Sequence, residues 1–83
     1  MKQILVEIDH ERSRQDKKWG IQNHCPEFWL TILMEEVGEA ARSALGIRFS
    51  NGIQDAYALY RKELIHVAAV AVAMIESYDR NGE

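Results

Sequence analysis

Three glutamates stand close together in the segment MEEVGEAAR, residues 34–42. If this segment is helical, each residue advances by about 100°, and Glu35, Glu36 and Glu39 fall within one arc of the helix surface. Two carboxylates about 5 Å apart repel each other by roughly 3 kcal/mol at an effective dielectric of about 20. Arg42 is the one cation at a favourable helical spacing from them. The cluster therefore predicts a bound cation, and a divalent metal ion would supply the compensating charge.

A fourth carboxylate, Glu63, precedes a later apolar segment, and His66 follows one helical turn after it. If the two segments pack as antiparallel helices, Glu63 comes to lie opposite the three earlier glutamates. Four carboxylates in one basin form an oxygen-only ligand set, which suits Mg²⁺ or Mn²⁺. His66 is either an additional nitrogen ligand or a histidine that is hydrogen-bonded at the edge of the core, and the sequence leaves both interpretations open.

Three segments with helical periodicity must position these residues. We expect the first at about residues 2–19, the second at about 26–46 and the third at about 54–79. Pro26 suits the first turn of a helix, where its missing N–H is not needed. A turn at residues 50–52 separates the second segment from the third. The sequence thus predicts an all-α fold, with three helices in a single domain.

The apolar residues of the second and third segments predict a homo-oligomer. Residues 64–75 are apolar on all sides except for His66, and two other helices of one protomer can hardly cover both faces. We therefore expect a helical bundle, either a homodimer or a higher homo-oligomer, built on the third segment. In the second segment, the side chains expected to face the core are Leu30, Leu33, Met34, Val37, Ala41, Ala44 and Leu45.

The composition restricts the partners and the location of the protein. The 83 residues carry a net charge of −3, without the basic excess that is typical of nucleic-acid binding. The single Cys25 cannot form an internal disulfide, and the N-terminal apolar run is too short for a signal peptide. The longest apolar run, residues 67–75, is about half as long as a membrane span. We expect a cytoplasmic protein that binds neither nucleic acid nor membranes.

The glutamates also form part of a known pattern. Glu35-Glu36-x-x-Glu39 followed by Glu63 resembles the EExxE…ExxD signature of the MazG-like family, in the all-α nucleoside triphosphate pyrophosphatase superfamily. The stretches ERSRQDKKWG and KELIHVAAVAVAMIESYDR look like the short phage and bacterial members of that family. The likeness spans nearly the whole chain and implies one MazG-like domain over residues 1–83.

The resemblance implies metal-dependent hydrolysis of ribo- or deoxyribonucleoside triphosphates to a monophosphate and pyrophosphate, with Mg²⁺ as the cofactor and Mn²⁺ as a substitute. It implies that the metal is held by Glu35, Glu36, Glu39 and Glu63. Glu36 and Glu39 are the candidates that orient or deprotonate the attacking water. The family's aspartate is replaced here by His66, so one anionic ligand is missing. Either four glutamates suffice, or His66 joins as a nitrogen ligand, or catalysis has been lost.

Basic and aromatic residues are the candidates for contacts with the substrate. Arg14 and Lys18 lie four residues apart and are suited to bind the distal phosphates together. Trp19 and Trp29 are candidates to stack on a nucleobase, although aromatic residues at helix ends belong more often to the core. Gln15 is a candidate to hydrogen-bond the edge of the base.

Two other functions stay open. Glu63 and His66 also form a Glu-x-x-His element, and a dimer would supply two such elements together with glutamates from two further helices, as in di-iron carboxylate bundles. The other function is that of a non-catalytic helical dimer that binds nucleotides as a regulatory module. Tightly bound iron would favour the first, and nucleotide binding without turnover would favour the second.

Overall fold

A computed structural model describes residues 1–49 and 54–82 of the chain. These residues form three helices, α1 (Lys2–Trp19), α2 (Pro26–Phe49) and α3 (Gln54–Asn81). The predicted all-α fold is confirmed, and no strand occurs in the two described ranges.

The helix boundaries follow the local stop and start signals in part. α1 has its predicted bounds and ends before Gly20, which adopts φ 75° and donates its backbone N–H to the Asp16 carbonyl at 2.8 Å. α2 begins at Pro26 as predicted, but its predicted end near Gly46 is wrong, because the helix runs on to Phe49. Gly46 does not adopt the left-handed conformation of a helix stop. The turn expected at residues 50–52 lies outside the described residues.

α3 is the central helix of the protomer. Both α1 and α2 pack against it, whereas no Cα atom of α1 comes within 8 Å of one in α2. α2 runs antiparallel to α3, since Trp29 lies beside Met74 while Glu36, further along α2, lies beside Glu63. The separation of α1 from α2 leaves a groove between them, with α3 as its floor.

The core between these helices consists mainly of small side chains. Trp29 is its one large member among the described residues and is 3% exposed. Small side chains let helix axes approach closely, so α3 can pack against two neighbours at once. The other buried residues are Gln15, Ala40, Ser43, Ala69, Val70, Ala73 and Ser77.

The prediction of which α2 face is buried is wrong within the protomer. Met34 is 61% exposed and Leu45 is 60% exposed, whereas Ala40 and Ser43 are buried against α3. The buried residues lie one position along the chain from the predicted stripe, which corresponds to a rotation of about 100° around the helix. The periodicity of a single helix does not say which of its faces meets α3.

The exposed stripe of α2 continues onto α3 as one surface, here called the apolar face. On α3 it includes Leu64, Ile75 and Tyr78, which lie on the side of the helix opposite the buried alanines. Ile75 and Tyr78 line a small apolar cavity together with the exposed Pro26 at the start of α2, so the α3 part of this surface reaches α2 at this end of the pair. The α2 members of the apolar face are Leu30, Met34, Val37 and Leu45.

Despite this apolar surface, none of the described helices combines the length and hydropathy of a membrane-spanning segment.

Candidate functional site

The groove between α1 and α2 contains a cavity of ≈ 250 Å³. Its lining changes along its length. Trp29 marks one end, and Glu36, two helical turns further along α2, marks a position about 10 Å away. Trp19 of α1 and His66 of α3 also line the cavity. One groove therefore has an aromatic part and a part that carries ionisable groups.

Glu36 and His66, which line the ionisable part, converge with Glu63, which lies beside them but does not line the cavity. One candidate ligand atom from each of them lies within 4.8 Å of the other two. His66 Nδ1 is 3.3 Å from Glu63 Oε2 and 3.9 Å from Glu36 Oε2. Both of these carboxylate oxygens are buried without a hydrogen-bond partner among the described residues. Because a buried carboxylate oxygen needs a donor or a cation, two such oxygens beside an imidazole nitrogen fit a divalent ion.

Glu11 of α1 stands on the other side of His66, and the sequence analysis missed it. Its Oε1 is 3.8 Å from His66 Nε2, and its side chain is 10% exposed. The two ring nitrogens of His66 thus face different carboxylates. At 3.8 Å the Glu11 carboxylate is near His66 Nε2 but beyond hydrogen-bond distance. The available signal was spacing, since Glu11 shares the inward face of α1 with Ile8 and Gln15.

Arg14 and Gln15 hold Glu11 in place. Arg14 donates from Nε to Oε1 at 2.8 Å and from Nη2 to Oε2 at 2.6 Å. Gln15 donates from Nε2 to Glu11 Oε2 at 3.2 Å. The hydrogen bonds from Arg14 are the main reason that the pKa of Glu11 is lowered, and the charge of His66 lowers it further. Glu11 is therefore ionised beside the histidine.

Gln15 is fixed from its other end by Arg12. Arg12 Nη1 donates to Gln15 Oε1 at 2.9 Å, while the same guanidinium bonds Asp16 and Glu76. Both ends of the Gln15 amide therefore have a protein partner. Its predicted contact with a nucleobase stays a prediction, and the amide keeps a second N–H and a second lone pair for such a contact.

Among the carboxylates of the site, Glu36 is the one whose negative charge is disfavoured by its surroundings. Burial raises its pKa, and the nearby carboxylates of Glu39, Glu63 and Glu11 raise it further, while the charge of His66 lowers it. Ionised Glu36 is thus short of a cation, which agrees with the charge argument made from the sequence. Glu11 and Glu36 lie on either side of His66, with pKa values shifted in opposite directions.

The two remaining predicted ligands lie at the edge of the site. Glu35 is exposed and lines the cavity, and Glu39 is exposed and close enough to raise the pKa of Glu36. The cluster of ligand atoms includes neither of them. Their role as ligands stays a prediction, and Glu39 lines neither cavity.

Four of the five residues that were predicted to contact the substrate line the cavity. Arg14, Gln15, Trp19 and Trp29 line it. Trp19 is 52% exposed, and Trp29 presents a buried indole nitrogen without a hydrogen-bond partner among the described residues. Lys18 is not part of the lining, and its Nζ lies 4.8 Å from the centre of the Trp19 ring.

Comparison of this chain with protein-family models, with curated proteins and with solved structures gives no match. The functional argument therefore depends on the groove and the residues that line it.

Proposed function

We propose that this protein is a metal-dependent nucleoside triphosphate pyrophosphohydrolase, which converts ribo- or deoxyribonucleoside triphosphates to a monophosphate and pyrophosphate. The observation that carries the proposal is the pair of buried, unpartnered oxygens of Glu36 and Glu63 beside His66. Glu36 and His66 line a groove that also offers Arg14 and two tryptophans, and Glu63 lies directly behind them. The resemblance of the glutamate pattern to MazG-like enzymes supports the same activity.

The donor set fits a divalent cation, Mg²⁺ or Mn²⁺. Glu36, Glu63 and His66 are the residues that would hold it, with Glu35 at the exposed edge. When bound, such an ion neutralises the phosphates, polarises the phosphorus centre and activates water. In this proposal Glu39, one turn along α2 from Glu35 and exposed, orients the attacking water together with Glu36.

The groove also provides for the organic part of a nucleotide. Trp29 closes one end with its buried ring, and the half-exposed Trp19 offers a face on which a base can stack. Arg14 retains N–H donors beyond the two that it gives to Glu11. The aromatic part would therefore hold the base while the ionisable part acts on the phosphates.

The test is pyrophosphate release from a panel of ribo- and deoxyribonucleoside triphosphates with Mg²⁺, with Mn²⁺ and with a chelator. We expect release that requires a metal ion and that Glu36→Gln reduces by about 100-fold, as expected when a metal site is disrupted. Glu27→Gln, an exposed glutamate at the start of the same helix, is the matched control and should leave the rate unchanged. Well-folded protein that releases no pyrophosphate under any of these conditions would contradict the proposal.

The di-iron alternative has one observation in its favour, because Glu63 and His66 do lie together with Glu36. Metal analysis of protein purified without chelator separates the two functions. Stoichiometric iron would favour the di-iron bundle, and weakly bound Mg²⁺ or Mn²⁺ favours the hydrolase. Nucleotide binding without pyrophosphate release would instead favour the regulatory module.

We also propose that the protein is a homodimer and that the apolar face is the interface. Leu64, Ile75 and Tyr78 leave large apolar areas exposed on α3, and the α2 stripe extends them. In this proposal a second copy of the chain covers the apolar face. The α2–α3 pairs of the two copies would then form a bundle of four helices around a two-fold axis. Contiguous exposed apolar surface of this kind marks an interaction site.

A further inference from the structure

A second cavity, of ≈ 340 Å³, adjoins the carboxylate and histidine cluster. It lies between the first half of α1 and residues 58–66 of α3, and it shares Glu11, Arg14 and His66 with the first cavity. Unlike the first cavity, it includes no tryptophan and no residue of α2. The basic residues that it adds are His10, Arg61 and Lys62. We call it the basic pocket.

Both glutamates of the basic pocket are already neutralised by arginines. Arg61 donates from Nη1 and Nη2 to the two oxygens of Glu7 at 2.6 and 2.7 Å. Arg14 makes a similar pair of bonds with Glu11. A guanidinium has five N–H donors, so each arginine keeps donors for a ligand while its glutamate fixes its orientation.

Lys62 and His10 are the basic side chains of the pocket that no carboxylate of the described residues pairs with. Both are exposed, and neither has a hydrogen bond or ion pair with any described residue. With the two arginine–glutamate pairs balanced, Lys62 gives the pocket a net positive charge. A lysine ammonium binds phosphate as a point charge. The pocket is thus suited to an anion, beside a cluster that is suited to a cation.

The groove as a whole changes character in one direction along α3. The lining of the two adjoining cavities is aromatic beside Val70 and Ala73, then carries the imidazole of His66, and is basic at residues 61–62. The carboxylate of Glu36 lies beside that imidazole, while Glu63 lines neither cavity. One helical turn, about 6 Å along the axis, separates His66 from Lys62. A nucleoside triphosphate has the same order of parts, with a base, a phosphate at the reacting centre and further phosphates beyond it.

We propose that the basic pocket binds the β- and γ-phosphates of the substrate and the pyrophosphate product, with Lys62 as the principal contact. The identity of the ligand rests on the proposed function. In that reaction the water oxygen bonds to the α-phosphorus, and its proton passes to solvent. The bond from the α-phosphorus to the bridging oxygen breaks, and its electron pair leaves on pyrophosphate. Lys62, with donors from Arg61 and Arg14, stabilises the charge that arrives there.

The experiment is calorimetric titration of the full chain, in the presence of Mn²⁺, with inorganic pyrophosphate and separately with a nucleoside monophosphate. We expect Lys62→Gln to weaken pyrophosphate binding by about tenfold, the effect of losing one charge-assisted contact, and to leave monophosphate binding unchanged. Lys17→Gln is the matched control, since Lys17 is an exposed lysine of α1 that lines neither cavity. It should alter neither affinity.

The results separate this inference from the proposed function. Equal pyrophosphate affinity in the wild type and Lys62→Gln, or an equal loss in Lys17→Gln, would overturn the assignment of the pocket. If the wild type also releases pyrophosphate from nucleotides, only the pocket is wrong. A protein that hydrolyses no nucleotide but binds pyrophosphate through Lys62 would support the anion site and contradict the hydrolase.

Discussion

If the proposed metal binds, His66 influences which ion the site prefers. Its Nδ1 faces Glu36 and Glu63 while its Nε2 faces Glu11, so it is placed as a ligand with an acidic group behind it. Imidazole nitrogen suits transition metals such as Mn²⁺ better than it suits Mg²⁺. The histidine, which replaces an aspartate in the proposed resemblance to MazG-like enzymes, would therefore still bind a metal ion, with a changed preference among ions.

This ligation can be detected directly. With Mn²⁺ bound, we expect pulsed electron paramagnetic resonance to show modulation from a coordinated nitrogen nucleus. His66→Asp should abolish the nitrogen signal, retain bound Mn²⁺ and increase the affinity for Mg²⁺ relative to that for Mn²⁺, because it restores an oxygen-only ligand set. The same spectrum in the wild type and the variant would exclude His66 as a ligand.

Glu36 should make stability depend on pH when no metal is bound. Its pKa is raised above the ordinary value of 4.5, so its contribution to stability is present below that value and is lost as pH rises through the folded-state pKa. In chelator at pH 7, Glu36→Gln should therefore be more stable than the wild type, by at least about 0.3 kcal/mol, the effect of one like-charge pair on a helix. The difference should shrink toward pH 4.

Thermal unfolding across this pH range measures the effect, with Glu35→Gln as the exposed neighbour for comparison. Saturating Mn²⁺ should reverse the order, because the ion stabilises only a protein that binds it. A Glu36→Gln variant that is less stable than the wild type in chelator would contradict the charge argument.

At the scale of the helices, the sequence predicted the helix boundaries that single residues determine. It did not predict which face of α2 is buried against α3. Pro26 and Gly20 fix their boundaries through backbone geometry, which is a property of those residues alone. The burial of Ser43 in place of Met34 depends on which stripe of α2 meets α3, and that is settled by packing. Glu11 was missed for the same reason, since its value as a site residue arises only when α1 is laid beside His66.

The continuation of α2 through Gly46 gives a prediction about helix propensity. A Cβ added at Gly46 meets no atom within 4 Å, and the residue has helical geometry. Gly46→Ala should therefore stabilise the protein by about 1 kcal/mol, which corresponds to a rise in melting temperature of about 4–8 °C. Gly20→Ala is the contrasting variant and should lower the melting temperature, because φ 75° strains any residue with a Cβ. A Gly46→Ala variant that melts lower than the wild type would contradict the helix bounds.

At the scale of the whole molecule, the proposed dimer would cover the apolar face, which the protomer by itself leaves exposed. A small domain buries only about 60% of the surface of its unfolded chain, so association adds substantially to its stability. The acidic and basic residues of the groove lie on the other side of the α2–α3 pair. Association through the apolar face therefore leaves the proposed site open.

Sedimentation of the wild type at micromolar concentration should give a dimer. Ile75→Glu places a charge within the apolar face and should shift the protein to a monomer. Leu5→Glu changes an exposed leucine of α1, outside that face, and should sediment as the wild type does. A monomeric wild type, or a dimer that survives Ile75→Glu unchanged, would place the interface elsewhere or remove it.

α1 packs against α3 and not against α2. The width of the groove and the position of the carboxylate and histidine cluster can therefore change independently. The width of the groove depends on one helix contact and on the loop at residues 20–25, which Arg80 holds through the Gln22 carbonyl and the Asn23 side chain. Glu36, Glu63 and His66 belong to the α2–α3 pair. If the proposed function holds, changes in loop length would alter which base the groove admits without moving Glu36, Glu63 and His66. Libraries built on this loop would then diversify substrate choice while the reaction stays the same.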